Sequence, residues 1–101
     1  MGYGYVEQKE DTMRVLIADD HPTLRETVVR ALAGEPDIEV VGVAGDGAEA
    51  VEMARELRPD VILMDVMMPA LNGIEATREI LKCCPKVHIL GFSVHDSRVF
   101  A

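Results

Sequence analysis

The chain has 101 residues, 49% of them hydrophobic, which allows one globular domain with a modest core and leaves too little for a second. A formal net charge of −8 argues against a direct grip on nucleic acid phosphate through this segment and makes cations the better company. No apolar run approaches a membrane span and no basic-then-apolar leader opens the sequence, so a cytoplasmic protein without membrane contact is expected.

Residues 1–12, MGYGYVEQKEDT, mix Gly, Tyr and charge without a period and predict a flexible extension or cloning remnant with no role. The folded part is then residues 13–101. Within RVLIADD, residues 15–18 form an apolar run that ends in Asp19 and Asp20. Pro22 suits a first helical position, and Leu24, Val28, Ala31 and Leu32 follow at helical spacing until Gly34 and Pro36. Ile38–Ala44 is a second strand candidate, and GDG turns the chain with Asp46 as a helix N-cap. Ala50, Val51, Ala54 and Leu57 mark the apolar stripe of the next helix, which Pro59 stops.

VILMD, Val61–Asp65, is too short for a helix and rich in Val, Ile and Leu, so it predicts a strand buried on both faces that ends in a carboxylate. After VMMPALNG a third helix starts at Asn72 or Gly73, with Ile74, Thr77, Ile80 and Leu81 facing inward and a stop near Pro85. Cys83 and Cys84 are adjacent, which rules out a disulfide framework, and they are expected as reduced thiols at the helix end. Residues 87–92 are the fourth strand, and SVHDSRVFA is a loop with the first turn of a helix.

Strands alternating with helices at this spacing predict right-handed crossovers and a parallel sheet with helices on both faces. The carboxyl edge of such a sheet is where ligands bind, and Asp19, Asp20, Asp65 and Ser93 converge there. Three carboxylates in one place repel unless a cation joins them, and Mg²⁺ with its preference for oxygen ligands fits. An Asp beside Mg²⁺ is a nucleophile toward phosphorus, and Ser93 could donate a hydrogen bond to a phosphoryl oxygen. Singly, each residue also has a plain reading: a turn former, a helix-dipole partner, a loop hydroxyl. His21 reads as a surface residue at a helix start rather than a ligand. His88 and His95 are not spaced for a metal site, and Met64, Met67 and Met68 suit core or loop packing.

LIADDHP, VILMDVMMPALNG and ILGFSVHD, three separated motifs in one order, together resemble the receiver domain of bacterial two-component response regulators, in the LuxR/NarL-type subfamily usually joined to a helix-turn-helix. The resemblance runs from Met13 to the end. It implies an α/β flavodoxin-like (CheY-like) fold, a doubly wound parallel sheet cut here to about four strands. It also implies a phosphoryl group on Asp65, taken from a sensor histidine kinase or a small phosphodonor. Mg²⁺ would be held by Asp20, Asp65 and the carbonyl of Met67, with Asp19 acting through water. Ser93 matches the family's switch hydroxyl, and His95 a position that modulates dephosphorylation. Phosphate would draw the hydroxyl inward, shift a pre-existing equilibrium and so control transcription.

The sequence ends at Ala101, before the fifth strand, the last helix and the Lys that completes the phosphate site in this family. Phosphorylation is therefore expected to be slow or poorly coupled to output. Residues 87–92 are expected to form an unpaired edge beside an open sheet face, favouring self-association or exchange of elements. The rival expectation is an excerpt of a longer regulator. Two functional classes stay open: a phosphoacceptor, enzymatic at most in its own phosphotransfer and autodephosphorylation at Asp65, and a non-phosphorylated interaction or dimerisation module. A metal-dependent phosphohydrolase is a distant third, because Met67 stands where its second Asp belongs.

Overall fold

The computed structural model describes residues 12–68 and 73–92. Ser93 and His95, Pro69 and Asn72, and residues 1–11 of the expected N-terminal extension lie outside the described residues. The described elements are β1 (Met13–Ala18), α1 (Pro22–Ala33), β2 (Ile38–Ala44), α2 (Gly47–Leu57), β3 (Val61–Asp65), α3 (Gly73–Cys83) and β4 (His88–Phe92). All strand pairs are parallel, in the order β2-β1-β3-β4. The chain moves outward from β1 to β2, then returns past β1 to β3. The switch in direction falls between β1 and β3, the two strands that end in buried acid.

Local chemistry sets the boundaries. Pro22 at the start of α1 carries a preset φ, and Gly34 caps its far end by donating its N–H to the Leu32 carbonyl. Asp46 caps α2 as expected: its Oδ1 accepts the Glu49 N–H at 2.8 Å, while Glu49 Oε1 accepts the Gly45 N–H at 2.7 Å. Arg58 closes α2 in the left-handed conformation (φ 50, ψ 60), and Pro59 prevents continuation. Between β1 and β2 the register shifts, so that Val15 pairs with Val40 but Leu16 with Gly42, leaving Val41 as an extra residue.

The main core lies between the sheet and the α2–α3 layer, where Leu16, Ile62, Met64, Ala50, Ala54, Ala76 and Ile80 are fully buried. The inward face of α3 departs from the expected stripe. Gly73, Ala76 and Ile80 are buried, whereas Ile74 is 62% and Leu81 43% exposed. Small residues decide this rotation: a Cβ on Gly73 would strike the Val66 Cα and come within 2.6 Å of the Asp65 carbonyl oxygen, so only glycine lets the helix start this close to β3.

On the opposite sheet face, α1 packs on β1 and β2, and none of its residues is fully buried; Ala31, expected inside, is exposed. Ile17, Leu63 and Leu90 form one row across β1, β3 and β4. Exposure along it rises from 1% at Ile17 through a half-buried Leu63 to 58% at Leu90. Among the described residues no helix lies over the β3–β4 half of this face.

The amino-terminal ends of the strands are tied by a hydrogen-bonded lattice. Asp60 Oδ2 accepts the Arg14 N–H at 2.8 Å and the Asp60 N–H is donated to the Arg14 carbonyl at 2.8 Å, while the His88 N–H reaches the Asp60 carbonyl at 3.0 Å. Arg14 Nη1 donates to the Arg58 carbonyl at 2.9 Å, and Arg58 Nη1 to that of Cys83 at 3.3 Å, joining α2 to the end of α3. Cys83 and Cys84 are free thiols, as expected.

Candidate functional site

Asp19 and Asp65 are delivered by the apolar runs that precede them. Residues 15–18 and 61–64 are held by the sheet, and the next residue in each case emerges at its carboxyl edge with its side chain still at 0% exposure. Two fully buried carboxylates side by side are costly, since each loses hydration and repels the other. Asp20 and His21 follow Asp19 on the turn into α1, both half-exposed. The structure therefore brings together Asp19, Asp20 and Asp65, three of the expected site residues, with potential ligand atoms of these and His21 all within 4.8 Å of one another.

Partners are unequally shared among these oxygens. Asp65 Oδ1 accepts the Met67 N–H at 2.9 Å, which fixes the carboxylate plane, and Asp19 Oδ1 accepts the His21 N–H at 3.0 Å. Arg25 Nη1 donates to the Asp19 carbonyl at 3.1 Å rather than to a carboxylate. Asp19 Oδ2, Asp20 Oδ1 and Asp65 Oδ2 have no hydrogen-bond partner. Unsatisfied buried acceptors at this density call for a cation, and the oxygens of three carboxylates fit a hard divalent ion such as Mg²⁺. Burial pushes the Asp65 carboxyl above its ordinary range; the Met67 N–H opposes this, and Asp19 and Asp20 add to it.

The surroundings of His21 are more specific than a surface position at a helix start suggests. It does sit at the helix start, as the N-cap of α1, but it makes no side-chain cap bond. Its ring turns into the acidic cluster, with Nδ1 2.9 Å from Asp19 Oδ1, 3.1 Å from Asp20 Oδ1 and 3.4 Å from Asp65 Oδ2. One ring N–H satisfies one oxygen at a time, so Asp19 takes the hydrogen bond and the other two remain ionic neighbours. The Asp19 hydrogen bond, reinforced by the charges of Asp20, Asp19 and Asp65 against a partial loss of hydration, raises the His21 pKa. The available signal was adjacency: a side chain directly after two acids at a strand end cannot avoid their field.

Met67 is 55% exposed while Met64 and Met68 are buried, so of the three only Met67 departs from a packing role. Ser93 lies outside the described residues, one position beyond β4, whose last residue, Phe92, pairs with Asp65. A concavity of about 750 Å³ lies at the opposite end of the sheet beside Arg58, Asp60 and Cys84, and contains none of the acidic cluster. No helix of the described residues is long and apolar enough to cross a membrane.

Comparison with known proteins agrees with this geometry. The family model for the response regulator receiver domain matches residues 15–101. The transcriptional regulatory protein DegU of Brevibacillus brevis is 46% identical over 91 residues, covering 90% of this chain and 39% of that protein. The chain thus spans about two fifths of that relative. Among solved structures, a LuxR-family two-component response regulator from Aurantimonas sp. SI85-9A1 aligns with TM-score 0.78 and 40% identity, over 84% of this chain and 61% of that one. The signal receiver domain of the response regulator NarL from Mycobacterium tuberculosis aligns with TM-score 0.79 and 40% identity, over 85% and 69%. With its four-stranded parallel sheet, its acidic carboxyl edge and these relatives, the chain belongs to the response regulator receiver domain family, as a receiver domain of a two-component system with the flavodoxin-like fold.

Proposed function

We propose that this receiver accepts a phosphoryl group on Asp65 from a sensor histidine kinase and thereby switches a regulator of transcription. The observation that carries the reading is the pair of fully buried carboxylates, Asp19 and Asp65, each with an oxygen lacking any hydrogen-bond partner at the carboxyl edge of the sheet. Asp20, Asp65 and the carbonyl of Met67 would hold Mg²⁺ directly, and Asp19 through water. Bound there, the ion supplies neutralisation of charge on the transferring phosphoryl group. The Met67 N–H holds Asp65 in one orientation, and burial excludes the water that would compete as nucleophile. An Asp65 oxygen attacks phosphorus in line as the bond from phosphorus to the donor breaks, and the donor leaves with the electron pair. Ser93, directly after β4, would supply the hydroxyl that senses the phosphate. A regulator of transcription is the output suggested by the relative in Brevibacillus brevis, whose name describes it as one.

Incubation with Mg²⁺ and acetyl phosphate, followed by peptide mass mapping, tests this directly. An adduct on Asp65, absent in Asp65→Asn, is the expected result. A chain that binds beryllofluoride and acetyl phosphate no better than its Asp65→Asn variant is instead an interaction module.

A further inference from the structure

The turn that bears Asp19 and Asp20 is held from two sides. The Asp19 N–H is donated to the Ala44 carbonyl at 3.0 Å, at the end of β2, and the Asp19 carbonyl accepts Arg25 Nη1 at 3.1 Å. That carbonyl belongs to the planar peptide joining Asp19 to Asp20, so its orientation sets the direction in which Asp20 leaves the strand. Arg25 is itself anchored, because its backbone N–H is donated to the His21 carbonyl at 2.9 Å in the first turn of α1. Its guanidinium also lies beside Gly45, where a Cβ would stand 3.2 Å from Nη1, tighter than ordinary contact. One cation thus joins α1 to the chain leaving β1 and β2.

The acceptor it uses is informative. Near three carboxylates a guanidinium favours a bidentate carboxylate partner, yet among the described residues Arg25 makes no ion pair. Such a pair would occupy the oxygens and offset the charge that a divalent ion needs. Bonding to the backbone leaves both open.

We propose that Arg25 is a positioning residue for the cation pocket, whose bond to the Asp19 carbonyl holds Asp19 and Asp20 in place without occupying their carboxylates. The inference rests on the Mg²⁺ reading above and adds to it a residue that touches neither the ion nor the phosphoryl group. Groups that orient metal ligands from outside typically contribute about 10–100-fold to affinity. Acting through charge alone, the guanidinium would have the opposite sign: a cation beside the pocket repels Mg²⁺, and its removal tightens binding.

Isothermal titration of the 101-residue chain with MgCl₂ at one fixed pH separates these, with circular dichroism and a cooperative urea transition in EDTA checking that each variant folds. Arg25→Ala is expected to weaken Mg²⁺ by about tenfold or more. Arg25→Lys, which keeps the charge and a donor, should recover part of that loss. Arg25→Gln keeps the aliphatic stem but not the reach, so it should weaken Mg²⁺ as Arg25→Ala does, and it carries the test alone if Arg25→Ala does not fold. Unchanged or tighter Mg²⁺ binding in either folded variant overturns the proposal. A wild type that does not bind Mg²⁺ at all overturns the pocket reading instead, so the two failures are distinguishable.

Discussion

The two ends of the sheet solve opposite problems. At the amino-terminal end Arg14, Arg58 and Asp60 spend their polar atoms on backbone groups of neighbouring segments, and the lattice ties β1, β3, β4, α2 and α3 together. At the carboxyl-terminal end Asp19 and Asp65 are equally fixed but are left with unpartnered oxygens and each other's charge. The same strands run between both ends, so fold stability is concentrated at one edge and electrostatic cost at the other. Such a division is expected where a site is built to bind something that offsets the cost.

This contrast is sharpened most strongly by adding the missing charge. Mg²⁺ at about 100 times its dissociation constant should raise unfolding free energy by about 2.7 kcal/mol in urea titrations, an increment that EDTA removes. Next in size, Asp65→Asn should stabilise the metal-free chain by about 1–3 kcal/mol, the scale of an unsatisfied buried polar group, and abolish most of the Mg²⁺ increment. Asp60→Ala, at the other end, should destabilise the chain by about 1 kcal/mol with or without Mg²⁺, because an exposed carboxylate loses a single backbone bond. If Asp65→Asn destabilises and Asp60→Ala does not, the division between the ends is wrong.

The smallest effect concerns pH at the amino-terminal end. Burial, with Cys83 as a lesser contributor, pushes the Cys84 thiol above its ordinary value of 9.0. The folded state then holds this proton more tightly than the unfolded state, so the stability it contributes is complete below pH 9 and is lost as pH rises through the folded value. Urea midpoints of wild type and Cys84→Ala should therefore converge in alkali. Parallel curves up to the end of the transition would show that the thiol is not shielded.

Much of this was legible in residue types. Apolar runs ending in acid located β1, β3 and the convergence of Asp19, Asp20 and Asp65, because a buried parallel strand needs continuous hydrophobicity and its end needs none. Asp46 announced its helix through a capping geometry that only a few residues make. The rotation of α3 was not legible: hydrophobic spacing favoured Ile74 and Leu81, but the approach of Gly73 to the β3 backbone outweighed it. The direction of the His21 ring was not legible for a related reason, since a sequence shows which residues are neighbours but not which way an uncapped N-cap side chain turns. The extra residue at Val41 is likewise a matter of how a twisted pair absorbs its register.

The seat of Gly73 has a consequence for how this sequence can vary. Most positions around the site admit several residues, because side-chain tips can yield; here the obstacle is the backbone of Asp65 and Val66, which cannot. In a saturation library read by metal-dependent phosphorylation, position 73 should accept one letter while exposed Ile74 beside it accepts nearly all. The first turn of α3 is thus a one-residue bottleneck, where drift in sequence reaches Asp65 without touching the acidic cluster.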